Sequence, residues 1–376
     1  MVKKKAVPND KYWQDRAEER LSDAEKRSVH YIKEINSVYD NARWKIIEEI
    51  KSLYDNYYKK DAGFDNEKLR AIVPNGTLKQ FRREMNEAGL SDYLPENYKA
   101  RMTRLEYLYA QCWAESKKAN MKHYKLETES HKETIKHGYY KNIYDTAVGL
   151  KINPVFSGLN SRAVNEILNT QFVAGNYSKH IWKNTDKLAR TLKEVIGSAV
   201  AKGEGYEKTA RLIRTRFDVT KSEAIRLVRT ETCYFQNQAE IKSLKEMGFK
   251  KYQFIATLDS RTSGVCRDHD KIVFDVDKAQ AGFNLPPLHP NCRSTITAYL
   301  GKEYETDTRI ARNENGASEY VENIDYDEWL KRAKNGTLRR EPVTVKPDVA
   351  SSIINAGGVS ATLSNTATKT TEQKGY

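Results

Sequence analysis

From Ile32 onward apolar residues recur three or four positions apart, as Ile32, Ile35, Tyr39, Ala42, Ile46, Ile50, Leu53 and Tyr57, with charges between them. That spacing predicts one buried face of a long helix. A second stripe, Met102, Leu105, Tyr109, Cys112, Ser116 and Ala119, follows the turn signal Leu94-Pro95-Glu96 and runs toward a Lys- and Tyr-rich stretch near Tyr140. Two long helices with an interrupted connection predict an antiparallel hairpin. Cys112 falls within its stripe and reads as a small core residue.

Beyond Asn153-Pro154 the predicted helices shorten. One covers Thr185 to Val200, with Leu188, Leu192, Val195 and Ala199 on one face and Gly203 and Gly205 ending it. A short helix over Glu207 to Phe217 follows, and then TKSE reads as a capping box, with Thr220 as N-cap and Glu223 opening a helix that stops at Gly248. On that helix Glu231 shares a face with Ala224, Val228 and Phe235. A buried carboxylate needs a cation or donors, so Arg261 or Arg293 is expected to pair with it, unless Glu231 lies at the stripe's edge in water.

The period then changes to two. Tyr252, Phe254, Ala256 and Leu258 alternate, Ile296 and Ala298 alternate within STITAY, and Ile272 to Phe274 is a short apolar run, together predicting a small antiparallel sheet. A last short helix is expected around Tyr326 to Ala333. The fold class is therefore α+β: a mainly helical N-terminal region over 1–150, a compact module of helices and sheet over 151–302, and a one-helix extension over 303–342. The tail over 343–376 is rich in Ser, Thr, Gly and Asn and is expected to be disordered.

Composition changes this picture in two ways. With 39% hydrophobic and 31% charged residues in 376, and no apolar run near the roughly 18–20 residues of a span, no membrane anchor is expected. The first residues lack a secretory pattern and 4 cysteines do not make a disulfide framework, so synthesis in a reducing cytoplasm is expected. The formal net charge of +13 fits polyanionic surroundings such as double-stranded DNA, through phosphates and without sequence readout, and equally fits a generally Lys-rich surface. The 23 tyrosines could stack on bases, but at helical spacing they fit half-buried packing.

The candidate chemistry lies between Thr257 and Thr297, where Cys266 and His269 sit in CRDH and His289 and Cys292 in HPNC. Two sulfurs and two nitrogens could close a tetrahedral structural zinc site. The alternative is a metal-free turn in which the cysteines pack or oxidise together and the histidines bond locally. Pro286, Pro287 and Pro290 stiffen the approach to His289 and Cys292. Asp259, Ser260, Arg261 and Thr262 offer caps to a tight loop. A catalytic reading would make His269 or His289 a general base beside Asp259 or Asp268 in a metal-dependent nuclease, but no nucleophile, phosphate loop or carboxylate cluster completes it.

Taken in order, IWKNTDKLARTL, RLVRTET, YQFIATLDSRTS with CRDHD, and PPLHPNCRST resemble the phage head morphogenesis family, the Mu F-like minor head proteins, over roughly Ser178 to Tyr299. The resemblance implies a non-enzymatic minor capsid component of a tailed phage, acting in head assembly, DNA packaging or DNA ejection. It implies a place in the virion, in the head interior or at the portal vertex, with the portal protein, a scaffold or the major capsid protein and packaged DNA as partners. The motif positions that carry over are Arg229, Thr230 and Glu231; Asp259, Arg261 and Thr262; Cys266; and His289, Pro290, Cys292 and Arg293. Ser263 and Ser294 stand where some relatives have cysteines, so a cysteine-rich zinc site does not transfer directly, and His269 is the replacement ligand to consider. Some larger relatives add a toxin domain; about 75 residues follow the signature here, short of an ordinary domain, so none is expected. A soluble DNA-binding accessory protein is the remaining alternative.

Overall fold

The first apolar stripe forms a single helix, α1 (Asp10–Tyr57), started by Asn9, whose side chain accepts from the Tyr12 amide. The computed structural model describes residues 8–98, 101–170, 177–313, 315, 318–324 and 326–342, so the tail expected over 343–376 lies outside the described residues. A ribbon of β1 (Tyr58–Lys59) and β2 (Gly63–Phe64), then α2 (Asn66–Arg70) and α3 (Asn75–Glu87), interrupt the connection. The second stripe becomes α4 (Arg104–Leu150), opened by a reciprocal capping box of Thr103 and Glu106.

The two long helices pack antiparallel, as expected. Tyr12 donates to the Asp145 carbonyl at 2.7 Å, the Tyr39 hydroxyl meets His123 Nδ1 at 2.9 Å, and Arg104 donates to the Tyr57 hydroxyl. Beyond Ala119 the apolar stripe fades, because α4 is enclosed by neighbours that also supply polar partners. Arg20 of α1 donates to Asp145 of α4 at 2.7 Å and to Glu240 at 3.0 Å, all three buried.

Next come α5 (Ser161–Asn169), capped by Asn160; α6 (Tyr177–Lys202); and α7 (Tyr206–Glu246). The helix break expected before Thr220 does not exist. Thr220 bonds back to the Arg216 carbonyl at 3.0 Å, and Glu223 pairs with Lys187 at 2.5 Å instead of the Thr220 amide. No glycine or proline intervenes, and Phe217, Ala224 and Val228 share one core with Ile35, Ile46, Cys112 and Leu192. That core draws on α1, α4, α6 and α7 and so runs across residue 150. Where α4 crosses α7, Gly138 makes room for the Gln236 side chain: a Cβ there would lie 2.8 Å from its amide oxygen.

After α7 the predicted sheet is present. β3 (Lys251–Ile255) leads through α8 (Gly264–His269) to β4 (Val273–Asp275) and β5 (Thr295–Ala298), and β3 lies between the other two, antiparallel to both. Tyr252 faces Phe274 on one side and Ala298 on the other. A second antiparallel sheet went unexpected: β6 (Thr308–Arg312), β7 (Ser318–Glu322) and β8 (Arg340–Pro342). The helix expected near Tyr326 is α9 (Tyr326–Lys334), which packs Tyr326 and Trp329 against Leu258, Ala311 and Val321. Among the described residues no helix is long and apolar enough to cross a membrane.

Candidate metal centre

Two turns bring the candidate ligands together. Ser263 caps α8, its hydroxyl accepting from the Cys266 amide at 3.3 Å, and this points Cys266 into the interior. In HPNC the Cys292 amide donates to the His289 carbonyl at 3.2 Å, closing a tight turn with Asn291 at φ 58, a conformation asparagine tolerates. Thr230 of α7 fixes that turn: its hydroxyl donates to the Arg226 carbonyl at 2.7 Å and accepts from the Asn291 amide at 3.0 Å.

Cys266 Sγ then lies 3.2 Å from His289 Nε2 and 3.6 Å from Cys292 Sγ. These three ligand atoms all fall within 4.8 Å of one another, with both cysteines buried and His289 partly so. Such a group is near enough to bind a metal. His289 Nδ1 bonds to the Pro290 carbonyl at 2.8 Å, which orients Nε2 toward the sulfurs.

His269 does not join them. Its Nδ1 bonds to the Val265 carbonyl at 2.8 Å and its ring packs near Phe254 and Phe274, because the last turn of α8 directs it along the sheet. The expected four-ligand set of Cys266, His269, His289 and Cys292 is thus drawn together as three.

Of the trio, Cys292 is the thiol shifted toward ionisation. Contacts from Cys233 first, then Cys266 and His289, hold its thiol well below the ordinary range against the opposing effect of burial. The Cys266 thiol is raised by its contact with Cys292 and by burial, and His289 is raised chiefly by Cys292.

Several of the motif residues around the trio bond to one another. Asp259 pairs bidentately with Arg293, Nη2 to Oδ1 at 2.8 Å and Nη1 to Oδ2, and accepts from the Arg261 amide at 2.8 Å. Burial would raise the Asp259 carboxyl, but Arg293 outweighs it and holds the group below the usual range. Thr262 accepts from the Asp259 amide at 3.2 Å and donates to the Thr257 carbonyl. Thr257 in turn donates to the Arg293 carbonyl, tying the turn to the segment that carries Cys292.

The expected clamp on Glu231 is absent. Arg293 is committed to Asp259, while the Arg261 side chain is 74% exposed and approaches Asp259 at 3.8 Å. Glu231 is 3% exposed, and burial first and Glu127 second push its carboxyl up to about 8, so it is neutralised by a proton and not by arginine. Arg229 is exposed on the same helix.

Cys233 lies outside both sequence motifs. It sits in α7 in one apolar cluster with Phe254, Ala256, Cys266 and Cys292, its Sγ donating to the Ser294 carbonyl at 3.5 Å. It is out of phase with the stripe through Ala224 and Phe235, so helical periodicity pointed it away from the core. The only hint was the apolar triplet Cys233-Tyr234-Phe235, which no single buried face accommodates.

Residues 190–297, which run from α6 through the end of the trio to β5, match the family described as Phage Mu protein F like protein. The chain is 27% identical over 207 residues to a protein named NAD(+)--arginine ADP-ribosyltransferase EFV of Enterococcus faecalis, covering 51% of this chain and 42% of that one. It is 25% identical over 162 residues to the minor head protein GP7 of Bacillus phage SPP1, covering 39% of this chain and 52% of that one. The chain thus spans about half or less of each of these relatives. No solved structure gives a significant match.

Proposed function

Residues 190–297 being of the Phage Mu protein F like family, we propose that the chain is a minor head protein of a tailed bacteriophage, non-enzymatic and located in the virion at the head interior or portal vertex. The observation that carries this reading is the coincidence of the family segment with the unit that builds the thiol and imidazole site, supported by the similarity to a phage minor head protein. The long bundle of α1, α4, α6 and α7 supplies a rigid body for docking to the portal protein, a scaffold or the major capsid protein. The net charge of +13 suits a place beside packaged double-stranded DNA, held by salt-sensitive phosphate contacts in assembly, packaging or ejection.

One structural zinc ion belongs to the same reading. A tetrahedral zinc with ordinary bond lengths has sulfur-to-sulfur edges of about 3.8 Å and sulfur-to-nitrogen edges of about 3.5 Å. The 3.6 Å between Cys266 and Cys292 and the 3.2 Å from Cys266 to His289 lie close to those edges, so the residues fit the ion. It would pin the turn after β3 to the turn before β5.

Mass spectrometry of purified virions tests the assignment. The chain is expected in mature heads or in assembling proheads, in far fewer copies than the major capsid protein. Its absence from both particles would overturn a structural role.

A further inference from the structure

Three protein atoms leave a tetrahedral site one ligand short. Structural zinc sites are closed by four protein ligands, whereas an open fourth position belongs to catalytic ones. The surroundings offer few donors. His269 is turned along the sheet and bonded to the Val265 carbonyl, and Asp259 is held bidentately by Arg293. Ser263 and Ser294, the positions flanking the two site cysteines, carry hydroxyls that are poor ligands for the ion, and Ser263 is engaged as the cap of α8.

Cys233 is different in each respect. It is 2% exposed, it belongs to the same apolar cluster as Cys266 and Cys292, and its thiol reaches the Ser294 carbonyl two residues beyond Cys292. Its polar contacts are weak ones, a 3.5 Å bond to the Ser294 carbonyl and a 3.6 Å approach by the Asn237 amide. We propose that Cys233 is the fourth ligand, making a site of three cysteines and one histidine from Cys233, Cys266, His289 and Cys292. The proposal rests on the zinc reading above and adds to it the element that the metal joins.

Cys233 Sγ lies outside the group of atoms already within 4.8 Å of one another. Ligation therefore requires it to give up the Ser294 carbonyl and rotate toward the ion, a change of side-chain rotamer in which the helix stays in place. On binding, each cysteine ligates as thiolate, the thiol protons pass to solvent, and His289 ligates as neutral imidazole through Nε2. The consequence is mechanical. A site made from Cys266, His289 and Cys292 ties two loops of one sheet, but adding Cys233 bolts those loops to α7, whose other half lies in the core shared with α1, α4 and α6.

The test uses the reduced, tag-free full chain and zinc or cobalt(II) alone. Wild type is expected to hold about one metal per chain, and its cobalt form to show thiolate charge transfer of three-sulfur intensity. Cys233→Ser is expected to lower that intensity by about a third and to weaken zinc binding at least about 10-fold, while His269→Ala changes neither. Unchanged spectrum and affinity in Cys233→Ser, or a loss confined to His269→Ala, would overturn the assignment of Cys233 and leave zinc standing. Wild type that binds no zinc would overturn both, without touching the head-protein reading, which rests on virions. Should Cys233→Ser fail to fold, the wild-type cobalt spectrum decides alone, since two-sulfur intensity excludes a third thiolate.

Discussion

Glu231 shows how one buried carboxylate gives the protein a pH dependence. Its ordinary value is 4.5, and burial and Glu127 raise it to about 8 in the fold. Glu127 itself is held at about 2, because the imidazoles of His123 at 2.9 Å and His131 at 3.3 Å outweigh the cost of its burial. Between about pH 4.5 and 8 the folded chain keeps a proton on Glu231 that the unfolded chain has released. The contribution is therefore full below 4.5 and is lost as pH rises toward 8, by at most about 1.4 kcal/mol per pH unit. Glu231→Gln, neutral throughout, should gain stability relative to wild type between pH 5 and pH 8 in urea unfolding; an equal difference at both values would show that Glu231 is ionised in the fold. The sequence correctly marked Glu231 as buried from its neighbours three and four residues away. It misassigned the partner, since two arginines were visible but nothing in the chain order said that Asp259 would take Arg293.

At the scale of elements, α7 decides the argument. Its residues 220–223 spell a helix start, yet Tyr206 to Glu246 is one helix because Phe217 and Val228 bury on a common face, and continuity lets both do so. Proline at the first position after a true N-cap is favourable, whereas in a helix interior it costs about 3 kcal/mol or more. Lys221→Pro should therefore destabilise by about 3 kcal/mol in chemical denaturation. A loss below about 1 kcal/mol, the scale of the partly exposed ion pairs Lys221 makes with Asp40 and Asp218, would indicate a break at Thr220. Local signals of this kind compete with tertiary burial, and here burial wins. The strands β3, β4 and β5 were legible because apolar residues alternate in them. β6 and β7 were not, since TRIAR and SEYVE interleave charges whose burial is compensated only across the molecule.

One of those compensations reaches from β6 back to α1. Arg309 of β6 is buried and pairs with Asp270, and Arg312 at the end of that strand donates to Glu18 at 2.6 Å and Glu25 at 2.9 Å on α1. Burial raises the Glu18 carboxyl while Arg312 opposes it. Arg312→Met leaves Glu18 buried without its cation and should cost about 3–5 kcal/mol in urea unfolding at neutral pH. Adding Glu18→Gln should restore much of that loss, since replacing both partners removes the uncompensated charge. A double variant no more stable than the single one would mean that Arg312 acts by packing alone.

The sequence by itself determined the elements with strong local periodicity: the paired long helices, the sheet around β3, the last short helix, and the segment that matches a phage head family. It also determined the residue types available for a metal, because CRDH and HPNC are local spellings. Which of them meet was left to the tertiary structure, since a side chain's direction depends on the turn that carries it. The cap of α8 turned Cys266 inward and His269 along the sheet. The packing of α7 against the sheet brought Cys233, from outside either motif, to the side of Cys292. Periodicity reports which face of an element is buried, but only packing reports what that face meets.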